Sequence, residues 1–368
     1  MKVALLVPGG VDRPGTARAI PCLLALIERL AALGDEVHVF QFQHPGEPGS
    51  VCLLGATVVS ASGRASSLRT LRAMLREHRR ARFDVVHAIC YFNRTGALGA
   101  AASRLMCVPL VLTLVDGEVA RLPEIGFGGL VGWRGRSALR LAARRASVVT
   151  TQSDFMRSLA ARAGIAARTV VLGVDLRSWP PSTPRPRADA APLRLRHVGR
   201  LTAVKDQATL LSAMALLRRS GVRFTLDLVG EGALAPALEE AVTGLGLGDA
   251  VRIIAPMPHA ELRTRFEHAD LLVMSSLHES GPMVALEAAV AGVPAVGTAV
   301  GYLADWNGWA ALAVPPRRPE LLAAAIAALA GDEPRRLALA AAAQAKALES
   351  DADRTAQTVR GMYREVAR

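Results

Sequence analysis

Two cations and two carboxylates in the second half of the sequence have the types and spacing needed to bind a sugar that carries a diphosphate. Arg200 and Lys205 follow a glycine, and Lys205 is the only lysine between residues 3 and 345. Glu279 and Glu287 form a Glu-x7-Glu pair, and Glu287 lies in an apolar run where an acid rarely occurs without a partner. Cations pair with phosphate, and carboxylates accept hydrogen bonds from hydroxyls. The set favours a nucleotide-sugar ligand over ATP, because the GxxxxGK[ST] pattern is absent.

Three loops carry these residues, and each is predicted to follow a strand. They are 199–206, Gly230-Glu231-Gly232 and 275–283. Ligands of parallel α/β sheets bind at the loops that leave the carboxyl ends of strands. The glycines of the second loop are expected to let the backbone approach a ligand closely. Pro282 is expected at the first position of a helix that runs through Ala291, and the free amides of its first turn would form an anion site.

The elements that must position these loops alternate between short β-type runs and Ala/Leu-rich helical runs. This pattern predicts βαβ units on parallel sheets, so the fold class is α/β and doubly wound. The predicted strands are 2–7, 36–40, 84–88, 110–115, 147–151 and 169–172 in the first half and 193–198, 223–229, 251–254, 270–274, 294–296 and 311–314 in the second. Predicted helices of the first half include 16–33, 66–80 and 96–106.

A stretch with five prolines, residues 179–192, has no apolar periodicity and is predicted to be a linker. We therefore expect an N-terminal domain over 1–178, a C-terminal domain over 193–352 and a closing helix over 353–368. A chain of 368 residues that is 51% apolar fits two α/β domains.

The cysteines and the apolar runs of the sequence indicate the cellular compartment. The four cysteines have no CxxC spacing, which favours reduced thiols over disulfides or a zinc site. The first apolar run ends at Pro8, too early for a signal peptide, and no later run reaches the roughly 20 residues of a transmembrane helix. We expect a cytoplasmic protein, with any membrane contact peripheral at the inner face of the plasma membrane.

The net charge of +12 is concentrated in the first half. Residues 1–180 hold 23 basic and 12 acidic residues, against 21 and 20 in residues 181–368. Much of this excess lies in 66–82 and 133–145, where Glu77 is the single acid. Anionic headgroups attract such segments, so we expect an anionic or lipid-linked acceptor, with a soluble saccharide or natural product as the alternative. Nucleic acid is not expected, because the sugar-nucleotide motifs argue against it.

The ordered series of motifs resembles the retaining GT-B glycosyltransferases of the family-4 type, also called glycosyl transferases group 1. The series consists of Val198-Gly199-Arg200-Leu201 with Lys205, Leu228-Val229-Gly230-Glu231-Gly232, Ala269-Asp270-Leu271, Glu279 to Glu287, and Ala291-Gly292-Val293-Pro294-Ala295-Val296. The resemblance is most specific over 193–320. It implies two Rossmann-like domains that face each other across a cleft, with a C-terminal helix containing Tyr363 that crosses back to the N-terminal domain.

The resemblance also implies roles for individual residues. Arg200 and Lys205 would bind the donor diphosphate and form the catalytic set with Glu279, which contacts the donor sugar. Glu287 would bind the ribose hydroxyls. The other implied donor-binding residues are Gly199, Gly230, Glu231, Gly232, Ser280, Gly281, Pro282, Met283 and Val284, and the implied acceptor residues are Gly9 and Gly10. Two further cleft candidates come from the sequence itself: Asp116, and His87, which ends a predicted strand and either faces the cleft or is a satisfied core histidine. The donor would be a UDP- or GDP-sugar, with no cofactor and no metal because the fixed cations replace it.

Three positions depart from the family pattern. Val115 stands where members carry a histidine, and Asp116 is expected to supply the missing polar contact. Val171-Leu172 replaces the usual Pro-Asn, and Tyr302 replaces a second glycine. The expected reaction is transfer of a hexosyl group to a hydroxyl with retention. The alternatives are a nucleotide-sugar 2-epimerase of the same architecture and a catalytically degenerate binding subunit, and the oligomeric state stays open.

Overall fold

The computed structural model describes residues 1–12, 19–43, 48–91, 93–187 and 191–368. The chain divides into two compact units. The first comprises Met1–Gly173 and Ala352–Arg368, and the second comprises Val174–Asp351. Each unit has its own sheet, which confirms the α/β class with two Rossmann-like domains.

The first unit is built on an eight-stranded sheet. Its strands are β1 (Lys2–Val7), β2 (Glu36–Gln41), β3 (Gly49–Leu53), β4 (Ala56–Ser60), β5 (Val85–Cys90), β6 (Leu110–Leu114), β7 (Val148–Thr151) and β8 (Arg168–Thr169). They lie in the order β3-β4-β2-β1-β5-β6-β7-β8, and every pair is parallel except β3 with β4. The central strands are buried along their whole length because helices cover both faces of a parallel sheet.

Six helices accompany this sheet: α1 (Pro21–Ala32), α2 (Ser66–Arg80), α3 (Asn93–Met106), α4 (Trp133–Arg145), α5 (Asp154–Arg162) and α13 (Ala352–Val366). Helices α2, α3 and α4 pack side by side, and their apolar residues share one core with β1, β5 and β6. Helix α1 packs on α13. Part of the predicted helix 16–33 falls on residues 16–18, which lie outside the described residues.

The second unit has an all-parallel sheet of six strands. They are β9 (Leu193–Val198), β10 (Phe224–Val229), β11 (Val251–Ile254), β12 (Leu271–Met274), β13 (Ala295–Thr298) and β14 (Ala311–Val314), in the order β11-β10-β9-β12-β13-β14. The predicted strands agree with these bounds to within two residues. The helices are α6 (Gln207–Arg219), α7 (Ala235–Gly244), α8 (His259–Glu267), α9 (Met283–Val290), α10 (Tyr302–Asp305), α11 (Pro319–Gly331) and α12 (Glu333–Leu348).

The described part of the proline-rich stretch packs along the second unit. Trp179 is completely buried there. Ser182 donates its backbone N–H to the Val290 carbonyl (3.1 Å) and accepts from the side chain of Gln344 (2.7 Å). These contacts fix residues 179–187 on the same body as β9 to β14, and the unit itself begins at Val174.

Two elements of the first unit were not predicted. Strands β3 and β4 form an antiparallel hairpin closed by Leu54 and Gly55, both of which have positive φ. A leucine is rare in this conformation, so the Leu-Gly pair lacks the Asn or Asp that usually precedes the glycine of a hairpin turn. Within the described ranges, no helix combines the length and the apolar composition that crossing a bilayer requires.

Candidate donor site and the edge of the first sheet

Three neighbouring strands of the second sheet end at one edge, because β10, β9 and β12 are adjacent and parallel. The loops that leave them are the three loops singled out in the sequence. We call the edge where parallel strands end the carboxyl edge. The topology therefore brings the loops after β9, β10 and β12 to the carboxyl edge of the second unit.

The first and third of these loops are joined by an ion pair. Lys205 Nζ lies 2.5 Å from Glu279 Oε1, and the Ser276 hydroxyl donates to the same oxygen (2.6 Å). Ser275 donates its hydroxyl to the backbone carbonyl of Lys205 (2.8 Å). The Lys205 side chain is 23% exposed and that of Glu279 is 10% exposed, so both charges are partly removed from water. A ligand that carries an anionic group and hydroxyls can replace both partners of this ion pair. The cation then pairs with the anionic group, and the carboxylate accepts hydrogen bonds from the hydroxyls.

The loop after β9 is held by residues that the sequence did not indicate. Gln207 donates its amide to the Arg200 carbonyl (2.9 Å), and the same amide lies 3.3 Å from His197 Nε2. His197 Nδ1 lies 3.0 Å from the Val273 carbonyl, and burial lowers the pKa of His197 to about 4. The Arg200 side chain is exposed, in contrast to that of Lys205. The structure thus fixes the backbone of Arg200 and leaves its guanidinium in solvent.

The glycines after β10 have a packing role that the sequence did not indicate. A Cβ on Gly230 would stand 1.9 Å from the carbonyl oxygen of Gly199, and one on Gly232 would stand 2.2 Å from that of Leu201. Glu231 is exposed, and its carbonyl accepts from the Leu201 N–H (2.8 Å). The loops after β9 and β10 therefore pack backbone to backbone. This packing alone requires glycine at 230 and 232, whatever approaches them from outside.

The loop after β12 leads into α9. Ser280, Gly281 and Pro282 are buried, whereas Met283 and Val284 are half-buried at the start of the helix. Pro282 is the N-cap residue and α9 begins at Met283, one position later than predicted, and among the described side chains none caps this terminus. The first-turn amides of α9 therefore keep donors for an anion, as helix amino termini commonly do.

Glu287 lies one turn further along α9 and has a partner that the sequence did not indicate. Its Oε1 is 2.8 Å from His259 Nε2, at the first residue of α8. Trp179 donates its indole N–H to the Glu287 backbone carbonyl (2.9 Å), and its ring lies against that of His259 with centroids 4.4 Å apart. The apolar run around Glu287 correctly indicated a partner for the acid. A lone histidine and a tryptophan in a proline-rich stretch had no pattern that connected them with it.

The first unit presents a different carboxyl edge. Gly9 and Gly10 follow β1 there, and Gly10 has a φ of +88°. Among the described residues, a Cβ on Gly9 would meet nothing closer than the Gln43 carbonyl at 3.6 Å, whereas one on Gly10 would stand 2.4 Å from Ile20. Gly10 is thus required by its conformation and by the residue that precedes α1, and Gly9 is not.

His87 lies inside the first sheet rather than at its edge, so the structure fits the core-histidine interpretation and not the cleft position. It occupies the middle of β5 and is almost completely buried. Nδ1 lies 2.6 Å from the Tyr363 hydroxyl and Nε2 lies 2.7 Å from the Thr113 hydroxyl. Burial lowers the pKa of His87 to about 3, so the ring is neutral at physiological pH. It links β5, β6 and α13 within the core.

The loop after β6 contains a buried acid that was not singled out. Val115, which replaces the family histidine, is buried, and Asp116 is half-buried. Glu118 is completely buried. One of its oxygens accepts from the Asp116 N–H (2.9 Å), and Oε1 has no hydrogen-bond partner in the described structure. Burial, together with the charge of Asp116, raises the pKa of Glu118 to about 8. Glu118 is therefore a neutral carboxylic acid beneath the surface at physiological pH, close to the half-buried Asp116.

One cluster of the first unit has the composition of a metal site. Glu36, His38 and Glu77 offer ligand atoms within 4.8 Å of one another. The Lys2 ammonium group already lies among them, 3.0 Å from Glu36 and 2.8 Å from Glu77. The hydrogen bond from Lys2 lowers the pKa of Glu77. A lysine ammonium in this position makes the cluster an ion-pair network that ties β1 to β2 and α2.

Comparison with known proteins agrees with the two units. The family described as glycosyl transferases group 1 matches residues 186–346, and the glycosyl transferase 4-like domain matches residues 19–175. The chain is 35% identical to D-inositol 3-phosphate glycosyltransferase 1 of Catenulispora acidiphila, over 71% of this chain and 67% of that protein. It is 29% identical to glycogen synthase of Mycobacterium tuberculosis, over 88% of this chain and 77% of that protein.

Solved structures share the fold over almost the whole chain. Sucrose-phosphate synthase from Thermosynechococcus elongatus superposes with a TM-score of 0.84 at 21% identity, covering 99% of this chain and 98% of that one. HepE from Anabaena in complex with UDP-glucose superposes with a TM-score of 0.76 at 21% identity, covering 99% of this chain and all of that one.

The fold is that of the GT-B glycosyltransferases. The chain belongs to the family-4-type glycosyltransferases, the glycosyl transferases group 1. It is a hexosyltransferase that uses a nucleotide-sugar donor, which confirms the family resemblance and the enzyme class predicted from the sequence.

Proposed function

We propose that the enzyme transfers a hexose from a UDP- or GDP-sugar to an acceptor hydroxyl with retention of configuration, and that the donor binds at the carboxyl edge of the second unit. The pair of Lys205 with Glu279, 2.5 Å apart, carries the proposal. It offers a cation for the diphosphate and an acceptor of hydrogen bonds for the sugar at one point. HepE, with the same fold, was solved with UDP-glucose, which supports a UDP-sugar as the first donor to test.

Donor binding replaces the internal partner of each charge. Lys205 moves from Glu279 to the diphosphate, joined by Arg200 and by the first-turn amides of α9. Glu279 then accepts from the sugar hydroxyls, and Glu287 accepts from the ribose. Gly199, Glu231 and the turn from Ser280 to Val284 complete the donor pocket.

Catalysis in this proposal is electrostatic. The nucleotide diphosphate leaves from the face on which the acceptor hydroxyl attacks, so the anomeric configuration is retained. The leaving phosphate gains negative charge, and each fixed charged contact stabilises it by about 2–4 kcal/mol where water is excluded. Because Arg200 and Lys205 provide the positive charge, transfer proceeds without a metal ion, and a chelator leaves the rate unchanged.

The acceptor proposal rests on the helical face of the first unit. Helices α2, α3 and α4 lie side by side, and Glu77, already paired with Lys2, is their only acid. Their exposed arginines are Arg69, Arg72, Arg76, Arg79, Arg80, Arg94, Arg104, Arg134, Arg136, Arg140 and Arg144. Trp133, Leu141 and Leu105 are 67%, 62% and 58% exposed on the same three helices. Exposed apolar groups among cations match an anionic lipid surface, so the acceptor is anionic or lipid-linked.

A donor panel tests the reaction. The protein is incubated with UDP- and GDP-hexoses, with and without an acceptor mixture of lipid-linked sugars, phospholipids and soluble saccharides. The proposal predicts that the acceptor stimulates release of the nucleotide diphosphate, and that the product keeps the donor's anomeric configuration. A sugar changed at C2 without an acceptor would indicate epimerisation, and donor binding without turnover would indicate a binding subunit.

Vesicle co-sedimentation tests the acceptor face. We expect binding to phosphatidylglycerol vesicles at low salt and its loss at high salt, because exposed charges are screened. Arg136→Glu with Arg140→Glu should weaken binding several-fold. Arg335→Glu, an exposed arginine of α12, is the matched control. Failure to bind at low salt, together with turnover of a neutral soluble acceptor, would contradict this part of the proposal.

A further inference from the structure

We infer that His259 and Trp179 position Glu287 for the donor ribose, and so determine the preference of the enzyme for a ribonucleotide. The inference rests on the proposed function, in which Glu287 binds the ribose hydroxyls. It assigns a role to two residues outside the family motifs.

Three separate segments of the chain converge on this one carboxylate. Glu287 comes from α9, His259 begins α8, and Trp179 precedes β9 by fourteen residues. His259 Nε2 lies 2.8 Å from Glu287 Oε1, and because a carboxylate only accepts hydrogen bonds, Nε2 must carry the hydrogen. This contact sets the rotation of the carboxylate plane about the end of the Glu287 side chain.

Trp179 holds both members of that pair with a single ring. Its indole N–H donates to the Glu287 backbone carbonyl (2.9 Å), and its face lies against the His259 imidazole with centroids 4.4 Å apart. Trp179 is completely buried, whereas the His259 side chain is 27% exposed. The rigid, buried member of the group thus fixes the member that faces solvent.

The arrangement leaves Glu287 able to bind a diol. Each carboxylate oxygen can accept two hydrogen bonds, and Oε2 makes none with the described residues. Ribose presents two adjacent hydroxyls, which require a carboxylate with both oxygens directed at them. With His259 on one lone pair of Oε1, the remaining lone pairs face the ligand in one orientation. Without His259 the carboxylate rotates freely, and ordering it opposes ribose binding.

The experiment measures the ribose preference by titration calorimetry. The first titrations determine which of UDP and GDP binds more tightly. The affinity of that nucleotide is then compared with the affinities of its 2′-deoxy and 3′-deoxy forms. His259→Ala should weaken binding of the ribonucleotide about tenfold, as expected for loss of a hydrogen bond to a charged group, while binding of the deoxy forms changes little. His259→Gln, whose side-chain amide can donate to Oε1, should recover part of the loss.

Two further variants separate this role from a purely structural one. Trp179→Phe keeps an aromatic ring against His259 but removes the indole N–H. We expect it to reduce the ribose preference about threefold, less than His259→Ala does. His268→Ala changes an exposed histidine just after α8 and should change nothing. A residue that only stabilises the fold would lower the melting temperature and leave the preference for ribose intact.

Failure of the inference and failure of the proposed donor site give different results. If Glu287→Ala weakens ribonucleotide binding but His259→Ala leaves the ribose preference unchanged, the positioning role is wrong and the donor site stands. If Glu287→Ala itself has no effect on nucleotide binding, both are wrong. If His259→Ala does not fold, His259→Gln and Trp179→Phe test the positioning role instead. The quantity measured is again the affinity for the ribonucleotide relative to that for its deoxy forms.

Discussion

The carboxyl edges of the two sheets contain acids in opposite states. At the second unit, Glu279 and Glu287 each face a basic side chain and lie just beneath the surface, with side chains 10% and 9% exposed. At the first unit, Glu118 is completely buried, has no basic partner among the described residues, and burial raises its pKa to about 8. Paired, accessible charges can exchange their partners for a charged ligand. An unpaired buried acid avoids the cost of its charge by keeping its proton.

Gly230 and Gly9, which lie at the two edges, differ in the space that surrounds them. Gly230 is required by the backbone of the neighbouring loop, whereas Gly9 has ordinary space around its Cα. The loops after β9 and β10 at the carboxyl edge of the second unit are therefore closely packed against each other. At the edge of the first unit, a Cβ has room among the described residues at Gly9 but not at Gly10, where it would stand 2.4 Å from Ile20.

The largest effect expected from this comparison is that of Gly230→Ala. The new methyl group would stand 1.9 Å from the Gly199 carbonyl oxygen, so the loops after β9 and β10 must separate. We expect a loss of about 3 kcal/mol in the free energy of unfolding of the second unit, at the upper end for overpacking. Gly9→Ala is the matched control and should unfold like the wild type. Thermal and urea unfolding measure the stability of both variants. Equal stabilities would contradict the close packing of the loops after β9 and β10.

A smaller effect is expected from Glu118→Gln. The folded-state pKa of Glu118 is raised to about 8, so its contribution is fully present below its unfolded pKa, near 4.5, and is lost as the pH rises through 8. Between pH 6 and pH 8 the wild type should lose about 2 kcal/mol of stability through this group, at about 1.4 kcal/mol per pH unit. Glu118→Gln should lose none of it.

The pH dependence of urea unfolding checks this prediction. Glu124→Gln, an exposed acid of the same loop, serves as control and should follow the wild type. Nucleotide affinity should be the same in all three proteins. A parallel fall in the stability of wild type and Glu118→Gln would mean that the buried acid is charged, and the contrast between the two edges would be lost.

Much of the fold was predictable because short β-type runs alternate with Ala/Leu-rich helical runs throughout the chain. Strands β1, β9, β11 and β14 have the predicted bounds, and α2 was predicted exactly. The β3–β4 hairpin was not predicted, since most of its first strand is exposed and its turn places Leu54 at positive φ. Local patterns could not reveal a turn whose residues lack the usual Asn or Gly at that position.

The candidate site was predictable where its residues lie in loops that directly follow predicted strands. Lys205 and Glu279 were singled out by residue type and by the ends of their strands, and the structure brings them together. His259 and Trp179 were not, because they meet Glu287 only through packing between distant segments. The burial that decides the states of His87 and Glu118 is likewise a property of the folded unit that no local pattern reports.

The central claim is that the paired charges at the carboxyl edge of the second unit are the donor site. Titration calorimetry of UDP, or of GDP if it binds better, tests this most directly in wild type, Lys205→Ala and Lys346→Ala. Lys346 is an exposed lysine of the same unit that pairs with Glu349. We predict that Lys205→Ala weakens nucleotide diphosphate binding at least tenfold, with unchanged unfolding, while Lys346→Ala binds like the wild type. Equal affinities in all three proteins would contradict the account.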